Sequence, residues 1–103
     1  MEETVKGKQS GRVAAPKDWS ADVVRFWRAI VSGWDLTDEG REILQLACEA
    51  RERMAQADAV LARDGLTIRT ARGTIRAHPA TRIRREAEGT FLAALRQLGL
   101  EGR

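Results

Sequence analysis

The sequence predicts a mainly α fold: a helical hairpin plus a C-terminal helix, with a short β-hairpin between helices 2 and 3. Three observations predict it. Residues 37–64 carry apolar groups at alternating spacings of four and three, with no proline. Residues 18–33 carry a second apolar stripe, rich in aromatics, at helical spacing. Between residues 65 and 78 the pattern changes to β-branched residues alternating with arginine around a glycine, which is a strand pattern. A chain of 103 residues holds at most one domain. The expected division is a disordered basic tail over residues 1–17 and a single helical domain over 18–103.

In the tail, Gly7, Gly11 and Pro16 break any regular element, and Lys6, Lys8, Arg12 and Lys17 outweigh Glu2 and Glu3. Gly7-Lys8 is not a phosphate loop, because the preceding strand, the spacer after a first glycine and a following Ser or Thr are missing. The first helix runs from Asp18 to Gly33, with Asp18 or Ser20 as N-cap. Val23, Val24, Phe26, Trp27, Ile30, Val31 and Trp34 make its broad apolar face, and Arg25 and Arg28 lie on the other side. Aromatics at this spacing are core, although base stacking is chemically open to them. The short link Trp34-Asp35-Leu36 makes helices 1 and 2 an antiparallel hairpin.

Helix 2 starts at Thr37, whose hydroxyl can accept an orphan N–H. Asp38, Glu39 and Glu42 follow where the helix dipole favours negative charge, and Gly65 sits at the left-handed stop. Ile43, Ala47, Ala50, Met54, Ala57 and Leu61 form a heptad seam, read as the oligomer interface. Leu44, Leu46, Cys48 and Val60 lie off the seam, so the middle of the helix is apolar on more than one side. One side takes the flanking helices and the other is free for a second copy. Cys48, far from any histidine or helix terminus, reads as an inert buried thiol.

Leu66-Thr67-Ile68-Arg69 and Thr74-Ile75-Arg76-Ala77 read as a β-hairpin turning at Gly73, with arginines at its tip and edge. An isolated hairpin is marginal in water, so it must lie on the helices or on a neighbouring subunit. His78-Pro79 opens the last helix, and Ala80, Ile83, Ala87, Phe91, Ala94, Leu95 and Leu98 trace its buried face up to Gly99. Gly89 weakens this helix by about 1 kcal/mol relative to alanine.

One cysteine and one histidine exclude a disulfide framework and make a metal site improbable. No cofactor is expected. No run of eighteen apolar residues predicts a membrane span, and the polar N-terminus does not read as a secretion signal, so a cytoplasmic location is expected. No phosphate loop, metal cluster or triad points to an enzyme. The charge is unevenly placed. Residues 35–64 hold eight acids against four arginines, whereas residues 65–85 hold six arginines and no acid. Such basic segments attract polyanions; a merely solvated surface is the other reading.

One order of features is familiar. Arg25-Phe26-Trp27-Arg28 lies on the first helix, and Leu36-Thr37-Asp38 starts a long helix with a cysteine in its Ala-rich centre. Asp64-Gly65, a glycine-containing hairpin, His78-Pro79-Ala80 and a closing Leu98-Gly99-Leu100 follow. From about Trp19 to Arg103 the chain resembles the P27-type family of phage terminase small subunits. It differs in continuing Leu100-Glu101 where the family often has Leu-Thr-Pro.

The resemblance implies a non-catalytic subunit in the host cytoplasm. It would form a ring, bind double-stranded viral DNA at the packaging start site, and recruit and regulate the large ATPase-nuclease subunit. Repeating a weak basic patch around a ring would supply avidity. Phosphate contacts are expected from Lys6, Lys8, Arg12 and Lys17, from Arg25 and Arg28, or from Arg69, Arg72 and Arg76. The first two groups are favoured, because the hairpin arginines are also placed to bridge to a neighbour's spine acids such as Glu49 or Glu52. Two other functions stay open: a dimeric phage DNA-binding regulator, and a helical adaptor without a nucleic-acid role.

Overall fold

A computed structural model describes residues 18–100; the expected tail, residues 1–17, and residues 101–103 lie outside them. The order is α1 (Ala21–Gly33), α2 (Asp38–Asp64), β1 (Thr67–Arg69), β2 (Ile75–Ala77) and α3 (Pro79–Leu98). This is the expected class, three helices with one small hairpin before the last.

Each helix begins and ends on the chemistry its sequence offers. Ser20 caps α1 and accepts from the Val23 amide. Thr37 Oγ1 accepts from the Gly40 amide at 2.9 Å, with Asp38 and Glu39 in the first turn of α2. Gly65, at φ +87°, stops α2 and donates its amide to Leu61 O. At the end of α3, Gly99 is left-handed. The Leu100 amide reaches back to Leu95 O and the Gly99 amide to Arg96 O, a Schellman motif that satisfies two orphan carbonyls.

Two kinds of packing hold the helices. Val23, Trp27 and Ile30 of α1 are buried against Leu44 and Cys48 of α2, with Leu36, Leu98 and Leu100 closing the edges. The Trp19 and Trp27 rings meet edge to face at 5.6 Å, and Phe26 meets Phe91 of α3 at 5.7 Å. The Arg51 guanidinium lies 4.7 Å over the Phe26 ring. The aromatics of α1 are therefore core. The Ser20 amide donates to Glu52 Oε1 and Asp22 pairs with Arg51, so α1 runs back along the first half of α2, antiparallel to it. Helices α2 and α3 instead approach closely through small residues. Ala47, Ala50 and Ala57 on α2 are buried, as are Ala80, Ala87 and Ala94 on α3.

The β-hairpin pairs Thr67 with Ala77, Ile68 with Arg76 and Arg69 with Ile75. Its loop is Ala71-Arg72-Gly73, with the Gly73 amide donating to Thr70 O and Gly73 at φ +88°. Every strand residue is exposed. The hairpin lies at the far end of the α2–α3 pair, where Ile68 and Arg76 share a groove with Thr81, Arg82, Ile83 and Glu86 of α3, and the molecule is 60 Å long and 18 Å in its thinnest direction.

Candidate functional site

The hairpin is anchored at its base and free above it. The His78 amide donates to Leu66 O at 2.7 Å, closing the strands. His78 Nδ1 accepts the Ala80 amide at 3.0 Å, which caps α3. An acceptor nitrogen carries no proton, so the ring proton sits on Nε2, 3.0 Å from Asp64 Oδ2. Asp64 also accepts from Arg63 Nε at 2.7 Å. The bond from Arg63, and after it that from His78, holds the Asp64 carboxyl well below the usual carboxylate range. The last residue of α2 and the first turn of α3 are thus joined by one side-chain clasp.

Above that clasp the charge is uncompensated. Arg69 Nη1 donates to Gly73 O at 2.9 Å, a bond to a carbonyl and not to a carboxylate. Arg72 stands at the tip and Arg76 on the opposite face from Arg69, both exposed. No acid occurs from residue 65 to residue 85. Farther along, the basic run is partly neutralised: Arg82 pairs with Glu86, and Arg84 with Asp58 and Glu88, while Arg85 stays exposed. On α1, Arg25 lies 3.4 Å from Asp22, which also binds Arg51, while Arg28 is exposed with no carboxylate partner among the described residues. Lys6, Lys8, Arg12 and Lys17 lie outside the described residues. The structure therefore does not gather the expected basic residues into one patch. It separates Arg25 and Arg28 on α1 from Arg69, Arg72 and Arg76 at the far end.

Residues 25–103 match a family model described as phage terminase, small subunit. The chain belongs to that family. No curated protein and no solved structure matches the chain.

For a terminase small subunit the question of chemistry becomes one of surfaces. Among the described residues, no cluster of three or more His, Cys, Asp and Glu is arranged to hold a metal ion, and no helix is long and apolar enough to cross a membrane. Burial pushes the Cys48 thiol up to about 12, which keeps it protonated at neutral pH.

The seam on α2 needs a correction. Ala47, Ala50 and Ala57 are buried inside the chain itself, and Ile43, Met54 and Leu61 are half-buried. With α3 in place, a second copy cannot reach the three alanines. The neighbour acids named beside them are engaged as well: Glu52 accepts from the Ser20 amide, and Glu49 from Gln45.

What remains open on α2 is a stripe that joins residues the sequence reading had placed apart, the glutamates at the helix start and Leu46 on its second apolar side. Glu39, Glu42 and Leu46 recur at helical spacing and are all exposed. Neither glutamate pairs with a described cation. The i, i+3, i+7 spacing was visible in the sequence, but the heptad of small residues beside it carried the stronger signal.

Proposed function

We propose that this chain is the DNA-binding, ring-forming component of a packaging terminase, delivering viral DNA to the large ATPase-nuclease subunit in the host cytoplasm. The observation that carries the DNA role is exposed arginine that meets no carboxylate among the described residues. Arg28 has no carboxylate partner among the described residues, and the sequence brings Lys6, Lys8, Arg12 and Lys17 shortly before α1. These and Arg25 are the favoured phosphate contacts, and Arg69, Arg72 and Arg76 are the alternative set. A single copy presents few such contacts. Repetition around a closed assembly multiplies them without a strong individual site.

The ring reading is supported by the elongated shape, the family, and the apolar groups left exposed at the hairpin. The large subunit is the expected second partner, and the chain's own role is regulatory and not catalytic.

The test is native mass spectrometry at moderate salt together with a fluorescence-anisotropy titration of labelled double-stranded viral DNA. A single high-order species that binds duplex DNA, less tightly as salt rises, is expected. A dimer on a palindromic site would make the chain a regulator. A species that ignores DNA at all salt concentrations would make it an adaptor.

A further inference from the structure

We infer that the β-hairpin of one copy docks on the acidic start of α2 in the next copy. The inference rests on the ring reading and specifies the contact that builds it.

The first observation is an uncovered hairpin. Two strands of three residues each are marginal alone in water, yet all six residues stay exposed, and Ile68 and Arg76 border α3 across a groove lined by Arg82, Ile83 and Glu86. Leu66 is 66% exposed and Ile75 64% exposed. Phosphates cover arginine but not aliphatic side chains. Each face of the hairpin sets arginine beside an aliphatic side chain, Arg76 with Leu66 on one and Arg69 with Ile75 on the other, which matches a protein interface, whose centre is apolar and which is enriched in arginine.

The second observation is the complementary surface on the same chain. Glu39 and Glu42 stand free of described cations, and Leu46, 55% exposed, continues their stripe. Trp34 lies exposed beside the start of the helix. The acceptor therefore has apolar groups next to carboxylates, where the hairpin has apolar groups next to guanidiniums. Arginine–carboxylate pairs are directional and frequently bidentate, so they fix register as well as attract.

The third observation is distance. Hairpin and stripe lie at opposite ends of α2, whose 27 residues span roughly 40 Å at about 1.5 Å per residue. They cannot meet within one chain. Between chains, a donor on one end and an acceptor on the other make a head-to-tail contact. Such a heterologous interface generates a ring when its rotation closes.

Charge exchange in the full-length chain tests this. Arg72→Glu with Arg76→Glu reverses the hairpin, and Glu39→Arg with Glu42→Arg reverses the stripe. All four sites are exposed, so the fold should survive. Glu39 also sits in the first turn of α2, so Leu46→Lys serves as a second stripe variant away from the cap.

Native mass at about 0.15 M salt is the readout. The unmodified chain is expected as a multimer, each reversed pair and Leu46→Lys as species of lower order, and the fourfold exchange as a multimer again. Multimers that withstand both reversals would overturn the docking and leave the ring standing on another surface. Failure of the fourfold chain to reassemble, with its helical circular dichroism intact, would also overturn it. A hairpin reversal that leaves the mass unchanged and abolishes duplex binding would make the hairpin a phosphate arm, overturning the docking as well. An unmodified chain of 11.5 kDa at every concentration would remove the ring and the docking together.

Discussion

At the scale of single residues, two side chains have outcomes set by their immediate surroundings. Cys48 is fully buried beside Val23, Trp27 and Leu44, and its thiol is pushed up to about 12. Only the thiolate attacks an alkylating reagent. The folded chain at pH 8 should therefore resist iodoacetamide and react fully in denaturant, as followed by intact mass. His78 does two jobs with its two ring nitrogens, capping α3 through Nδ1 and holding Asp64 through Nε2. His78→Ala should lower stability by about 1–2 kcal/mol in urea unfolding, the range for a lost cap. His78→Asn keeps a cap acceptor and should lose less. The Asp64 carboxyl is held below its ordinary value, so its contribution is fully present above about pH 4 and is lost as pH falls toward the folded-state value.

At the scale of elements, α2 and α3 meet through alanines, and that close approach leaves no room for larger groups. Ala87 is 2% exposed on the α3 side of the contact. Ala87→Leu should cost about 1–3 kcal/mol by overpacking, read as a lower thermal midpoint, whereas Ala93→Leu on the exposed side should be near neutral. The element boundaries were legible in the sequence because they depend on local chemistry. Thr37, Gly65, His78-Pro79 and Gly99 each end or begin a helix through atoms within a few residues. The partner of the seam was not legible. A four-three spacing says that a helix packs there, but not whether that helix belongs to the same chain. Here α3 supplies it, which turned an expected interface into an internal contact. The exposure of the hairpin was equally hidden, since alternation of Ile and Arg fixes the strands but not what faces them. The ion pairs of Arg84 with Asp58 and of Asp22 with Arg51 join residues 26 and 29 positions apart, beyond the reach of any local pattern.

At the scale of the whole molecule, the charge is polar along a thin body of 60 × 29 × 18 Å. The acidic start of α2 and the basic hairpin face opposite ends, so in the proposed assembly copies would attract each other end to end before any contact forms. The proposed assembly and DNA binding should then both weaken with salt, and a salt titration alone cannot separate them. Their slopes can. Each phosphate neutralised contributes about 0.9 to the slope of log K against log salt on duplex DNA. Replacing Lys6, Lys8, Arg12 and Lys17 by alanine should flatten that slope by about 0.9 for every contact removed in each engaged copy, with the native mass unchanged. The fourfold exchange of hairpin and stripe charges, which restores assembly, should leave the slope near that of the unmodified chain. If the exchanged chain assembles but its slope collapses while the tail variant keeps its slope, the phosphates lie on the hairpin after all. The two variants measured side by side, by anisotropy across a range of salt, therefore assign the DNA contacts to one end of the molecule or the other.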